Sequence, residues 1–350
     1  MSKYKEMGVF DGGLITSGAG NFAGGVSPVM DAAGVASAGA FLVSELEKKD
    51  PLIRKPLTSV TYPRDININT GGGWVDYVSA MSVQYGLTGG SGESPVTAGG
   101  ANGIPIVQAS VDKGVFKTHV YANALRIMFV DMQRANFIGR SLDQLLQDGI
   151  RLSYDKHMDE NVYVGLQQYG TYGLVNHPDV VETTVAQGAG SKTAWKDKTP
   201  DEILADINTA MTATWAAAGY SREAIPNHIL IPYEEYTYLL TTKVTELAGR
   251  SIMDYILENN IAAKEGSGGL YIGATAWCKG AGTGQKDRMV VYVNHERYVN
   301  VDELVPLNRV MSQPNAANAC YDTTYMANVS EVQVFYPNTI TYWDGIGGNE

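Results

Sequence analysis

From Arg140 to Gln168 apolar residues recur at three- and four-residue spacing, directly behind two stretches of strict alternation. Leu142, Leu145, Leu146, Ile150, Tyr154, Met158 and Val162 form a broad stripe on one face of a predicted helix. Such a helix spans on the order of 40 Å. It is expected to run through a Tyr- and Gly-rich turn into a strand by Glu182. Ser141 is placed to cap it, and Asp143 and Asp148 lie near the positive end of its dipole. Gly149 costs about 1 kcal/mol relative to Ala, which a stripe this regular offsets. An element so long and one-sided needs a cover for its apolar stripe, and the C-terminal strands are expected to supply it.

The segments ahead of the helix alternate instead. Val75, Tyr77, Ser79, Met81, Val83 and Tyr85 interleave with Asp76, Val78, Ala80, Ser82 and Gln84, a strand pattern. The stretch from Gly86 to Pro105 is too long for a tight turn and too polar for a core. Alternation returns from Ile106 to Val111 and again near Val115 to Tyr121. These segments predict a projecting two-stranded hairpin with a mobile tip. A two-stranded ribbon is marginal alone in water, so it should dock on another surface. A soft-tipped hairpin feeding a long helix is unusual in an enzyme and suits a chain that holds neighbouring copies.

The remaining segments fall into three groups. Met1 to Leu57 reads as an extended arm with one helix, bearing Val35, Leu42 and Leu46 on one face with Phe41 beside them. That helix stops before Asp50-Pro51, because a residue preceding Pro avoids the helical region. Thr199-Pro200-Asp201-Glu202 is a capping box opening a helix with Ile203, Leu204, Ile207, Met211 and Trp215 on its core face and Gly219 at its end. A buried strand at His228 to Ile231, a short helix from Tyr233 and another from Ser251 to Asn260 follow. Strands at Leu270 to Cys278 and Met289 to Val293 enclose Gly280 to Asp287, read as a hairpin turn. Thr199 to Asn294 thus reads as an α/β unit of its own, and Tyr321 to Trp343 returns to strand. No internal repeat is visible.

Composition excludes several classes. The 350 residues suffice for about two domain-sized units or one elaborate domain, and 44% apolar content is globular. A net charge of -11 argues against nucleic-acid binding over a broad surface, although a locally basic face remains open. Cys278 and Cys320 give no disulfide framework and no CxxC, as for reduced thiols in a cytosolic setting. The N-terminal residues lack the apolar core of a secretory signal, and the run from Val35 to Val43 is too short to span a bilayer. The chain is expected to stay in a cytoplasm, away from membranes.

No segment has the make-up of an active site. Gly280 to Asp287 resembles a phosphate loop only superficially, since Gln285 precedes Lys286, Asp287 follows it, and a strand rather than a helix comes next. Asp155, His157, Asp159 and Glu160 crowd the end of the long helix, but His157 points away from the face that Asp155 and Asp159 share. That cluster reads as a solvated or interface-facing charged patch rather than a metal site. The histidines read as scattered and unpaired, and Ser91 lacks the strand-to-helix elbow of a nucleophile. No catalytic, cofactor or metal residue is expected.

In order, these pieces are an arm, a projecting hairpin, a long helix, an inserted α/β block and final strands. With Arg140 to Gln168 and its continuation, the capped helix at Thr199, and the segments Ile225 to Leu239 and Ser251 to Asn260, the chain resembles the major capsid proteins of tailed double-stranded DNA bacteriophages, whose fold encapsulin shells share. The resemblance implies an α+β capsid fold. Residues 1–57 would be the N-terminal arm, 74–121 the extended loop, and 199–294 the axial domain. Residues 58–73, 122–198 and 295–350 would form the peripheral domain around the spine helix.

It also implies self-assembly through pentamers and hexamers into an icosahedral head enclosing DNA, with an encapsulin-like shell around protein cargo as the alternative. Contacts between subunits are expected at Phe41 and Leu42 in the arm, at Tyr77, Met81, Tyr85, Ile106 and Val111 on the hairpin, and at Asp155, Asp159 and Glu160 on the helix. Scaffolding, portal and decoration proteins are the implied partners. Packaged DNA would face the inner wall without sequence-specific contact, in a virion assembled in the host bacterial cytoplasm. No lysine lies between Gly86 and Pro105, so no Lys–Asn weld through the loop is expected, nor is cleavage of the short arm.

Overall fold

The computed structural model describes residues 58–88, 106–138, 142–244, 249–265 and 268–347. The arm helix with Phe41 and Leu42, the Ser141 cap and most of the hairpin tip lie outside the described residues.

A single helical turn, α1 (Tyr62–Asp65), leads to β1 (Asn67–Thr70), then to β2 (Tyr77–Thr88) and β3 (Ile106–Met128). β2 and β3 pair antiparallel from Tyr77 opposite Lys117 to Thr88 opposite Ile106, so the expected hairpin forms and runs further into the tip than the alternation reached. β3 is unbroken for 23 residues. After α2 (Phe129–Ile138) comes the long helix, α3 (Leu142–Tyr163). Its 22 residues span about 33 Å, shorter than the predicted 140–168. Beyond Tyr163 the chain doubles back, with the Leu174 and Val175 N–H groups donating to the Val162 and Tyr163 carbonyls at 2.8 and 3.0 Å. Gly165 (φ +74°) makes the turn possible, since a Cβ there would meet the Tyr172 backbone at 2.6 Å. Periodicity carries no signal of so close an approach.

The chain continues with β4 (Val181–Thr184), α4 (Pro200–Ala217), β5 (His228–Ile231), α5 (Tyr233–Thr241), α6 (Ile252–Glu258) and α7 (Ile261–Glu265). β6 (Tyr271–Ala274), β7 (Arg288–Tyr292), β8 (Val299–Asn315), β9 (Cys320–Ser330), β10 (Gln333–Val334) and β11 (Ile340–Asp344) complete it. The capping box is formed in full at the start of α4, and Gly219 (φ +67°) follows its end. Ser251 accepts from the Asp254 N–H at the start of α6.

Two sheets result. The first runs β1-β8-β9-β3-β2, with β10 on β8; the second runs β4-β11-β7-β5-β6. This order corrects two readings. β6 lies at an edge, parallel to β5, while β7 lies on the other side of β5, so Gly280 to Asp287 is a crossover and not a hairpin turn. The α/β block also does not stand alone, because β4 and β11 come from outside residues 199–294. β8 was not foreseen. Its alternation is broken by register shifts between Glu303 and Met311 and by Pro306 and Pro314, so it shows no clean period of two.

The second sheet separates two cores by its pleat. Leu230, Val290, Tyr292, Ile340 and Tyr342 face the α3 side with Met158, Val162, Val301 and Val329. Ile229, Ile231, Met289, Val291 and Trp343 face α4 and α6 with Ile203, Ile207, Met211 and Ile256. Strands buried on both faces read as continuous apolar runs, as His228 to Ile231 does. Near the start of α3, Ile150 packs with Leu125 and Ile127 of β3. Arg288 joins three strands. Its guanidinium meets Asp344 at 2.7 and 3.0 Å, Glu182 at 2.8 Å and the Val175 carbonyl at 2.8 Å, and lies over the Tyr342 ring.

Candidate subunit interface

β3 serves two roles along its length. From Ile106 to Lys117 its pairing partner is β2, and from Thr118 to Met128 it is β9. The outer half is therefore a ribbon of two strands standing beyond the sheet. Residues opposite one another share a face, so the register places Tyr77, Met81, Val83 and Tyr85 with Val107, Val111 and Val115 on one side. All seven are exposed, Met81 at 74% and Tyr85 at 76%. Exposed apolar patches of this kind mark contact surfaces, and covering each side chain fully contributes roughly 1.5–3 kcal/mol.

Of the expected contact residues, Tyr77, Met81, Tyr85 and Val111 thus come together on one face. Ile106 pairs with Thr88 at the far end of the ribbon. Val83, Val107 and Val115 were missed. The strand register, which alternation alone does not give, is the signal that recruits them. Lys113 and Lys117 lie opposite Met81 and Tyr77, giving the apolar face a basic edge.

The root of the ribbon is fixed, which makes its direction definite. The Thr118 N–H donates to the Asp76 carbonyl at 3.2 Å and its hydroxyl to that of Val75 at 2.6 Å. The Asn328 amide donates to the Gly73 and Val75 carbonyls at 3.2 and 3.1 Å. Lys117 and Glu331 bond to each other through the Lys117 N–H (2.7 Å) and the Glu331 N–H (3.0 Å). On the ribbon's other face Phe116 meets Phe335 edge-on at 5.5 Å.

The charged end of α3 behaves differently from expectation. Asp159 is 4% exposed. It accepts from the Thr61 and Tyr62 N–H groups at 2.8 and 3.1 Å and from the Trp277 indole at 2.6 Å, all within the chain. It caps α1 and is closed to a neighbour, which corrects its reading as an interface-facing charge. Its isolation in sequence from Thr61 and Trp277 hid this role. Asp155 is half-buried, its carboxyl raised chiefly by burial, and Glu160 is exposed. Substituting Asp159→Ala should cost about 2–4 kcal/mol, since buried N–H donors lose their acceptor. Chemical denaturation of the soluble subunit measures it, and a loss under 1 kcal/mol would contradict the assignment.

The histidines are not all unpaired either. His119 of β3 and His157 of α3 meet edge-on at 5.6 Å, and Tyr121 lies over His157 at 5.0 Å. Burial first, and His157 second, push His119 down to about 4, so the His119 ring is neutral at physiological pH. Among the described residues no group of three or more His, Cys, Asp or Glu could hold a metal ion, and no helix is long and apolar enough to cross a membrane.

This arrangement has close structural counterparts. The capsid of Myoviridae phage XM1 superposes with a TM-score of 0.70 at 15% identity, over 86% of this chain and 97% of that one. The capsid of a native GTA particle gives 0.57 at 15% identity, over 89% and 97%. A structure from Mycobacterium phage Bobi gives 0.54 at 13% identity, over 87% and 98%. At these identities the likeness is one of fold, and the α+β fold is that of tailed-phage capsid proteins. No curated protein matches the chain in sequence. The family model described as "Major capsid protein" matches residues 92–346, from the hairpin to the end of the last strand. The match takes in well over half of the sequence, and the chain belongs to the major capsid protein family.

Proposed function

We propose that this chain assembles with copies of itself, through pentamers and hexamers, into the icosahedral head shell that encloses the double-stranded DNA of a tailed phage. The observation that carries this reading is the ribbon, whose exposed apolar face finds no cover among the described residues of its own chain. A neighbouring subunit provides that cover. Residues 74–121 act as the extended loop and 1–57 as the arm. α3 and the rest of the first sheet form the peripheral part, and the second sheet, with β4 and β11 added to residues 199–294, forms the axial part around the symmetry axis. The chain works by contact and carries no catalysis. Scaffolding, portal and decoration proteins are its further partners, and assembly takes place in the host cytoplasm. An inner wall without excess positive charge would not hold packaged DNA by nonspecific adhesion.

Electron microscopy of the purified, concentrated protein tests this. Closed shells or capsomers with fivefold and sixfold symmetry are expected. Monomers under all assembly conditions, or native particles filled with protein instead of DNA, would overturn it.

A further inference from the structure

The carboxyl groups of Glu235 and Asp287 lie within hydrogen-bonding reach of each other beneath Gly347. Glu235, in the first turn of α5, is 8% exposed, and Asp287, just before β7, is also buried. Asp287 Oδ1 accepts from the Gly280 N–H at 2.8 Å, while Glu235 Oε2 is buried with no hydrogen-bond partner among the described residues. Two carboxylates in contact resist ionising together, and one proton between them removes the conflict. The surrounding charges do not remove it. Glu234 is paired with Lys279, and the Arg288 guanidinium is committed to Asp344 and Glu182. Lys196 and Tyr238 stand on the wall of the adjoining cavity of about 470 Å³, and the buried Cys278 thiol feels the charge of both carboxyls. Burial first, then the charges of Asp287 and Glu234, push the Glu235 carboxyl up to about 7, against the opposing pull of its own backbone N–H.

The chain leaving β11 passes directly over this pair. The Asp287 N–H donates to the Gly347 carbonyl at 3.2 Å, the Gly345 N–H to that of Asp287 at 2.9 Å, and the Trp195 N–H to that of Ile346 at 2.8 Å. A Cβ on Gly347 would stand 1.9 Å from Glu235 Oε1 and 2.6 Å from Asp287 Oδ2, so no side chain fits between backbone and carboxyls.

We propose that the protonated Glu235 carboxyl donates to Asp287 and so forms a latch that holds Gly345–Gly347 against the second sheet, a latch that loosens as the Glu235 proton leaves. The folded chain binds this proton more tightly than the unfolded one. Its stabilisation is therefore complete below the ordinary carboxylate range and declines as pH rises through about 7. The full-length soluble subunit, compared at pH 6 and pH 8.5, tests the latch by thermal unfolding and by hydrogen–deuterium exchange corrected for the intrinsic rate. In the wild type the unfolding midpoint should fall by about two degrees at pH 8.5, and exchange over residues 340–347 should rise. Glu235→Gln, which stays neutral, should lack both responses, and Asp287→Asn serves as the second variant should the first fail to fold. An unchanged pH response in the variants would overturn the proposal. So would restoration of wild-type protection at pH 8.5 by millimolar calcium chloride, which would make the pair a divalent-cation site.

Discussion

Arg288→Met is expected to destabilise the soluble subunit by about 3–5 kcal/mol, because it leaves the Asp344 carboxylate buried without its partner. The Arg288 and Asp344 side chains are 3% and 5% exposed, so solvent screens neither charge. Glu182 is about half exposed and adds little of its own. Replacing both partners, as Arg288→Met with Asp344→Leu, should recover much of the loss, since an apolar pair avoids the desolvation cost that the ion pair bears. Urea denaturation of the two variants makes the comparison. Equal loss in both would mean that the effect comes from packing against Tyr342 rather than from the unpaired charge. The residue matters because it binds β7, β11 and β4 at one point, and β4 and β11 reach the sheet from distant parts of the chain.

A second variant separates assembly from folding. Met81→Asp with Val111→Asp places two charges on the apolar face of the ribbon, at positions exposed among the described residues. Substitutions at such positions shift stability by about 0.5 kcal/mol or less. A charge buried unpaired in a contact between subunits costs several kcal/mol for each copy. Shells should disappear in sedimentation velocity and electron micrographs while the unfolding midpoint stays near that of the wild type. Normal shells from this variant would remove the ribbon face from the interface.

The two variants draw on features that the sequence reveals unequally. Met81 and Val111 were readable because alternation is local, and the capping box at Thr199 and the stripe from Ile150 to Val162 were readable for the same reason. Each is written within one or two turns or pleats of chain. Arg288 was not readable as a hub, because Asp344 comes from one remote segment and Glu182 and the Val175 carbonyl from another. Asp159 was misjudged on the same ground. A carboxylate near the end of a helix looks solvated until Thr61 and Trp277, about one hundred residues away on either side, close over it. The crossover from Gly280 to Asp287 looked like a hairpin because its glycines and flanking strands fit one locally, and only the presence of β5 between those strands decides otherwise. The bulges of β8 removed the period by which a strand is recognised. Local order, in short stretches, was legible; pairing between distant stretches was not.

The unbroken course of β3 has a mechanical consequence. Because one strand belongs first to the ribbon and then to the sheet, tension applied at the ribbon's far end runs along the backbone into the eleven residue pairs that join β3 to β9. Those pairs lie side by side along the direction of pull, so they resist sliding together instead of opening one after another like a zipper. An internal pressure that spreads the subunits apart would therefore meet its stiffest resistance along the axis of this strand.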